Sequence, residues 1–269
     1  MSQFIIDSKQ VNLSSSSAYL LNGTMNSNMI FNLNNVLKQD PKTIYNTISI
    51  HHVQIPVSYY VVNNTNNYLS ITGGNYTLIN GNYNASSFST MLLAKLGVGW
   101  NMSISAVTGI YTLGYTGNFT INSTSTCYRL LGFKVATSIS SVSNNLTFLY
   151  PCNFLGINRL KVKSNILQTN NVDSNIAGGR CNTLATIPVT NSSGGIINYL
   201  NQCNFKTILS NMTINSIDIQ ITDENDNLVD FNGIDVYITL QIDTVRQQLS
   251  EDNNLLTLLD KYFQNRNTV

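Results

Sequence analysis

The stretch Asp235–Asp243 reads D-V-Y-I-T-L-Q-I-D and decides the class of fold. Apolar side chains occupy every second position from Val236 to Ile242, and Tyr, Thr and Gln fill the positions between them. Successive side chains of a strand point to opposite faces of a sheet, so this alternation predicts a β-strand with one buried face. The stretch Thr213–Thr222 repeats the pattern, with Ile alternating with Ser, Asp and Gln. We therefore expect an all-β protein.

The alternation breaks once, within Thr47–Ile55. Ile48 and Ile50 share one parity, whereas Val53 and Ile55 share the other. Both pairs can face the core only if the strand contains one extra residue, so we predict a β-bulge near His51–His52. Adjacent side chains of a regular strand diverge, and we interpret the two histidines as structural or surface residues rather than as metal ligands.

Weaker alternation predicts the remaining strands, and helices are few. The further strands are expected at Met29–Leu33, Tyr68–Ile71, Tyr76–Ile79, Trp100–Val107, Ile110–Leu113, Phe119–Ile121, Leu160–Val162, Leu184–Val189 and Ile196–Leu200. Asn84 is predicted to cap a helix that ends at Gly97, and a short helical turn is predicted over Ser125–Leu131. A doubly wound α/β fold is excluded because it needs a helix between most strands.

These elements predict a single jelly-roll sandwich with one inserted helix. Residues 1–24 are expected to form an extended polar N-terminal arm, residues 25–244 the jelly-roll domain and residues 245–269 a C-terminal tail. Apolar residues at roughly helical spacing in the tail favour packing on a surface, either of its own domain or of a neighbouring subunit.

Charge is scarce in this chain of 269 residues. Only 10% of the residues are charged and the net charge is +1, whereas about 25% is usual in soluble domains. Such a chain has no excess of positive charge with which to attract a nucleic acid or an anionic membrane. Uncharged amides bind partners without the desolvation cost of an ion, which suits extensive contacts with other subunits. An AT-rich genome explains abundant Asn equally well.

The cysteines and the hydropathy pattern exclude several classes of protein. Cys127, Cys152, Cys181 and Cys203 form no C-x-x-C pair, which favours free thiols over a zinc site or a disulfide framework. The N-terminal residues do not have the pattern of a secretory signal. No stretch reaches the roughly 18 apolar residues of a membrane span.

We predict no catalytic, cofactor-binding or metal site, and hence no enzyme. Only His51 and His52 could serve as a histidine base, and an enzyme that uses His51 is the third hypothesis. Gly97-Val98-Gly99 starts like a dinucleotide-binding loop, but Met102 stands where the third glycine belongs.

Two polar patterns have ordinary structural interpretations. Asp223, Asn225 and Asn227 have the opening spacing of a calcium loop, but Leu228 replaces its glycine, and we expect a polar turn. The alternating residues Arg159, Lys161 and Lys163 predict a solvated stripe on the outside of a strand, with contact to a genome or an acidic neighbour as the alternative.

Several segments, in order, resemble one protein family. They are I-I-D-S-K-Q at Ile5–Gln10, I-S-I-H-H-V-Q-I-P-V-S-Y-Y at Ile48–Tyr60, G-N-Y-N at Gly81–Asn84, Y-R-L-L-G-F at Tyr128–Phe133, L-A-T-I-P-V at Leu184–Val189, and I-D-I-Q-I-T-D with D-F-N-G-I-D-V within Ile217–Val236. Their order and spacing resemble the penton (vertex, or minor capsid) proteins of virophages, polinton-like viruses and large nucleocytoplasmic DNA viruses. Val57 departs from the pattern, because Asn is expected there.

The resemblance implies an upright jelly roll, five copies of which close each fivefold vertex of an icosahedral capsid. The implied partners are the other four copies, the neighbouring double jelly-roll major capsid proteins and other minor capsid proteins. The implied location is the virion, with assembly in the host-cell cytoplasm. The alternative from another class is a lectin-like or receptor-binding jelly roll, for which Tyr59-Tyr60 near Asn63–Asn67 is the nearest candidate site.

Overall fold

The computed structural model of the chain describes residues 4–21, 25–37, 43–165, 171–172, 180–202, 205–209 and 214–247. The strands are β1 (Phe4–Ser14), β2 (Tyr19–Leu20), β3 (Asn28–Leu37), β4 (Thr43–Pro56), β5 (Tyr68–Ile71), β6 (Gly74–Thr77), β7 (Asn101–Ile104), β8 (Tyr111–Gly114), β9 (Thr120–Ile121), β10 (Ile139–Ser140), β11 (Asn145–Thr147), β12 (Arg159–Lys163), β13 (Asn171–Val172), β14 (Arg180–Cys181), β15 (Thr183–Pro188), β16 (Ile196–Leu200), β17 (Thr207–Leu209), β18 (Ile214–Thr222) and β19 (Tyr237–Gln247). The helices are α1 (Ala85–Leu96) and α2 (Tyr128–Leu131), with a 3-10 turn at Ser15–Ser17.

The chain folds as two compact units. Unit 1 comprises residues 1–57 and 159–269, and unit 2 comprises residues 58–158. Unit 2 is therefore inserted in the sequence between β4 and β12. The predicted jelly-roll domain, residues 25–244, includes parts of both units. Neither junction has a change in composition or a Pro-rich linker, so the sequence contains no local signal of the boundary.

Unit 1 has the strand order of a jelly roll. One sheet has the order β1-β19-β4-β16, with β17 also paired to β4, and the other has the order β15-β12-β18-β3-β2. All of their pairings are antiparallel. We call them sheet A and sheet B. With β16 and β17 taken as one interrupted strand and the two-residue strand β2 set aside, the remaining eight strands divide four and four between the sheets, as in a jelly roll.

The alternation seen in the sequence supplies the core of this sandwich. In sheet A, the buried side chains include Ile48, Ile50, Val53 and Ile55 of β4 together with Ile238, Leu240 and Ile242 of β19. In sheet B, they include Leu160 and Val162 of β12 together with Ile217, Ile219 and Ile221 of β18. Each buried aliphatic side chain of this size stabilises the fold by about 1.5–3 kcal/mol.

The predicted β-bulge is present in β4. Thr239 of β19 pairs with His52, whereas the next residue, Leu240, pairs with Ile50. His51 is therefore the extra residue. Because of this extra residue, Ile48 and Ile50 face the core together with Val53 and Ile55, although the two pairs have opposite parity. Each of the four side chains is at most 1% exposed.

Residues 4–14 of the segment that was expected to form an N-terminal arm, residues 1–24, are strand β1. Strand β1 pairs along its whole length with β19, from Phe4 opposite Gln247 to Ser14 opposite Tyr237. Val11 and Leu13 are buried, whereas Lys9, which has the same parity in the strand, is exposed and breaks the alternation that would have indicated a strand. Residues 248–269 of the expected tail lie outside the described residues.

Unit 2 contains two small sheets and α1 around its own core. The sheets have the orders β10-β9-β5-β6 and β11-β8-β7. Helix α1 begins at the predicted cap, where the Asn84 side chain accepts a hydrogen bond from the Ser87 N–H, and its C-cap is Gly97. It buries Phe88, Leu92 and Leu96, as its apolar stripe predicts. The core also includes Leu69, Tyr111, Leu113 and Leu131.

Candidate assembly surface

The outward face of sheet A is an exposed surface of hydroxyl and amide groups. Residues paired across the strands share a face, and the register places Ser14, Tyr237, Gln54 and Asn198 in one row and Asn12, Thr239, His52 and Leu200 in the next. We define the open face as Ser8, Gln10, Asn12 and Ser14 of β1, Tyr237, Thr239 and Gln241 of β19, His52, Gln54 and Pro56 of β4, and Ile196, Asn198 and Leu200 of β16. None of these side chains is buried, and none is Asp, Glu, Lys or Arg.

One ion pair lies on the same outward face as these residues, because Asp243 pairs with Ser8, and Ser49, which pairs with Gln241 on this face, is 7% exposed. Asp243 of β19 is 3% exposed, and its carboxylate accepts hydrogen bonds from the Lys206 ammonium at 2.6 Å, the Ser8 hydroxyl at 2.5 Å and the Gln241 amide at 3.0 Å. Burial opposes ionisation of Asp243, but these hydrogen bonds together hold its pKa below the ordinary 3.8. The ion pair therefore ties the residue before β17 to β19.

Sheet B differs, because outward residues of its central strands are buried and charged. Lys161 and Lys163 are 6% and 8% exposed, and Asp218 is 5% exposed. The Ser164 hydroxyl and the Asn165 N–H donate to the Asp218 carboxylate at 2.6 and 2.8 Å. The expected solvated stripe is thus wrong for Lys161 and Lys163, and only Arg159 is exposed.

The two buried lysines share one carboxylate. The ammonium groups of Lys161 and Lys163 lie 3.1 and 2.5 Å from Oδ1 of Asp226. Burial raises the pKa of Asp226, but the hydrogen bonds from Lys163 and Lys161 outweigh it, and the net pKa lies below the ordinary 3.8. The loop after β18 is therefore fastened to β12 by a charge-assisted contact. The sequence did not reveal it because Asp226 lies more than 60 residues from both lysines.

The stretch Asp223–Asn227 is a polar turn, as predicted. The Asp223 carboxylate accepts hydrogen bonds from the backbone N–H groups of Asn225 and Asn227 and from the Asn227 side-chain amide. Both carboxylate oxygens of Asp223 therefore accept hydrogen bonds from within the turn. Within the described ranges, no group of three or more His, Cys, Asp or Glu residues is placed to hold a metal ion. His51 and His52 are partly exposed at the bulge.

The loop that was the candidate glycan site uses its amides internally. Asn63 accepts from the Thr65 N–H and donates to the Tyr60 carbonyl, and Asn66 donates to the Val61 carbonyl. Asn67 donates to the Asn80 side chain, which in turn donates to Asn64. Tyr59 is 7% exposed and Tyr60 is 38% exposed. The structure therefore brings these residues together as a hydrogen-bonded loop.

Two of the four cysteines can be described, and both are free thiols in unit 2. Burial raises the pKa of the Cys127 thiol to about 12, so it stays protonated at neutral pH. Cys152 is partly buried, and burial raises its pKa as well. The side chains of Cys181 and Cys203 lie outside the described part of the chain.

A groove of about 610 Å³ runs beside α1 in unit 2. It is lined by Ile79, Ser87, Thr90, Met91, Ala94 and Lys95. Lys95 is its one ionisable side chain, so the lining contains no acid–base pair. Among the described residues, no helix is both long and apolar enough to cross a membrane.

Comparisons with known proteins gave similar structures but no similar sequences. No family model and no curated protein matches the chain. The mavirus penton protein is similar over 90% of this chain and 100% of its own, with 12% identity and a TM-score of 0.45. A chain of the Sputnik virophage structure, determined by cryo-EM, is similar over 90% and 98%, with 12% identity and a TM-score of 0.41. VP17, a capsid protein of bacteriophage P23-77, is similar over 91% and 99%, with 10% identity and a TM-score of 0.18.

Proposed function

We propose that this chain is a viral structural protein, a penton subunit whose homopentamer closes the fivefold vertices of an icosahedral capsid. The observation that carries the proposal is a jelly-roll sandwich in which the exposed residues of one sheet face are uncharged, and Asp243 of that face is buried in an ion pair with Lys206. A subunit in a permanent ring must bury such faces, and uncharged hydroxyl and amide groups can be buried without the desolvation cost of ions.

The segments that resemble penton proteins fall on defined elements of the structure. The block Ile48–Tyr60 covers the bulged half of β4, and Leu184–Val189 covers most of β15. The block within Ile217–Val236 runs from β18 to the residue before β19, and Tyr128–Phe133 contains α2. The resemblance therefore involves both sheets of unit 1 as well as unit 2, which supports a role that uses the whole chain.

The proposal includes the partners and the location that the resemblance implies. The pentamer would contact neighbouring double jelly-roll major capsid proteins and other minor capsid proteins at the vertices of the virion, after assembly in the host-cell cytoplasm. The role is structural and not enzymatic. The alternative, a lectin-like or receptor-binding module, is favoured by no observation, because the amides of its candidate loop are engaged within the loop.

The oligomeric state of the purified full-length chain tests the proposal. We expect native mass spectrometry and sedimentation velocity to give a pentamer of 29.8 kDa chains, or larger assemblies of such rings. A chain that stays monomeric at micromolar concentration, at every salt concentration and in crowding agents, contradicts it. A cryo-EM map of the particle with another protein at the fivefold vertices contradicts it as well.

A further inference from the structure

We propose that the open face of sheet A is the surface through which this chain binds a second copy of itself. The inference rests on the proposed function and specifies which of the molecule's surfaces the assembly buries. It follows from the difference between the two sheets. In sheet B, the outward residues Lys161, Lys163 and Asp218 of the central strands are buried within the chain. In sheet A, Ser49 and Asp243 are buried as well, but the thirteen residues of the open face all retain contact with solvent.

The open face is large enough to supply more than half of a subunit contact. Four strands at about 4.8 Å spacing give a width of about 20 Å, and the seven residues from Ser8 to Ser14 give a length of about 25 Å. The projected area is thus about 500 Å², and a standard interface buries about 800 Å² per partner. Phe205 and Ile208, each 53% exposed beside the face, and Ile234, 52% exposed before β19, provide apolar surface at its rim.

The chemistry of the open face selects the partner. A nucleic acid requires unpaired cations, whereas the open face has no Lys or Arg and the neighbouring Lys206 is paired with Asp243. A highly charged protein would lose the hydration of its ions against this face and gain no counter-charge. A partner with few charges and many amides and hydroxyls loses the least hydration free energy on binding. This chain itself, with 10% charged residues, has that composition. In a ring, the face meets a different surface of the neighbouring copy, because only heterologous contacts close rings of five.

Charge introduced on the open face tests the inference. Gln54 and Asn198 are exposed cross-strand partners on the face, and the double variant Gln54→Lys with Asn198→Lys places two ammonium groups there. Asn75→Lys with Thr77→Lys is the matched control, because both residues are exposed on β6 of unit 2. Gln54→Glu with Asn198→Glu repeats the experiment with the opposite charge. Circular dichroism of each variant checks that the fold is retained.

We expect the wild type and the β6 variant to assemble equally. Both open-face variants should raise the concentration at which half of the chains are assembled by at least 100-fold, as measured by sedimentation velocity. If the wild type assembles and the open-face variants assemble equally well, the inference is overturned and the proposed function stands. The inference is also overturned, and the proposed function stands, if the open face is found to be covered by the C-terminal tail or by another protein. If the β6 variant dissociates too, added charge rather than position is responsible, and the inference also fails. A wild type that never assembles overturns the proposed function itself.

Discussion

Asp226 has a left-handed backbone conformation, with φ of 67°, and its carboxylate reaches two buried ammonium groups. Asp and Asn tolerate this conformation better than other residues with side chains do. Two cations against one anion in a partly buried position make the carboxylate hard to replace. Its charge, rather than its shape, is what Lys161 and Lys163 require.

Asp226→Asn should therefore destabilise unit 1 by about 2 kcal/mol at pH 7, less than the 3–5 kcal/mol of a fully buried pair because Asp226 is partly exposed. The lowered pKa of Asp226 means that its contribution is present above pH 3.8 and is lost as the pH falls through the folded-state pKa. The difference between wild type and variant should accordingly shrink toward pH 2–3. Urea unfolding followed by circular dichroism measures it.

Asp230→Asn is the control for this variant. It removes the same charge from an exposed position, and the amide oxygen can still accept the hydrogen bond from the Asn232 N–H. Its stability should lie within about 0.5 kcal/mol of the wild type. Equal losses for the two variants would mean that net charge, and not the contact with the lysines, sets the stability.

Gly132, which ends α2, has φ of 100° and lies against the backbone carbonyl of Tyr150. A Cβ at this position would overlap the carbonyl oxygen, so Gly132→Ala should destabilise unit 2 by more than about 3 kcal/mol. Trp100, the only tryptophan of the chain, stacks on Tyr115 in the same unit, and its fluorescence reports unfolding.

Gly73→Ala separates strain from overlap. Gly73 has a similar φ of 94°, but no atom lies within 4 Å of the point that a Cβ would occupy. The substitution should cost only about 1 kcal/mol. If both glycine variants lose the same stability, the contact with Tyr150 is not the cause.

At the scale of elements, the bulge in β4 determines which side chains of that strand reach the core. Deletion of His51 removes the bulge and leaves Ile48, Ile50, Val53 and Ile55 at alternate positions of a regular strand, so all four side chains still face the core. We therefore expect the deletion variant to fold and to unfold cooperatively, as followed by near-ultraviolet circular dichroism. His51→Ala keeps the number of residues and should fold as well. If His51→Ala folds and the deletion variant does not, the bulge itself is required, and not only the burial of the four side chains.

The Lys206–Asp243 ion pair links β17 to β19 and β1. Lys206→Met keeps the aliphatic stem but leaves the buried Asp243 carboxylate without its cation, so we expect a loss of about 2 kcal/mol at pH 7. Below the folded-state pKa of Asp243 the carboxyl group is protonated in both proteins, and the loss should disappear. Lys9→Met, at an exposed position of β1, is the control for charge. A loss that is constant from pH 7 to pH 3 would contradict the role of the ion pair.

The success of sequence analysis also differs from element to element. Strands β18 and β19 were predicted because Ile217–Ile221 and Val236–Ile242 alternate without interruption, β5 and β16 were predicted from weaker alternation, and the break in β4 correctly indicated its bulge. Strand β1 was missed because Asp7 and Lys9, which share the parity of the buried Val11 and Leu13, are charged. The burial of Lys161 and Lys163 was missed because it depends on Asp226, which is brought to them only by the folded sheet. The open face was not predicted, because it depends on the pairing register of β1, β19, β4 and β16, which are distant from one another in sequence.

At the scale of the molecule, the strand pairings of sheets A and B involve unit 1 alone. Strands of unit 2 pair only with one another. A chain in which residues 58–158 are replaced by a short Gly/Ser linker should therefore keep the sandwich. We expect its circular dichroism to be that of a β protein and its urea unfolding to be cooperative. An unfolded or aggregated product, obtained with several linker lengths, would show that unit 1 requires unit 2.

The pairing of β1 with β19 joins residues more than 220 positions apart, such as Ser14 and Tyr237. During synthesis, β1 cannot pair with β19 until nearly the entire polypeptide has left the ribosome. Unit 2, whose contacts lie within about a hundred consecutive residues, can fold earlier on the ribosome. A nascent chain halted before β19 would thus contain a folded unit 2 and an incomplete sandwich. The incomplete sandwich is a natural substrate for chaperones in the cell that makes it.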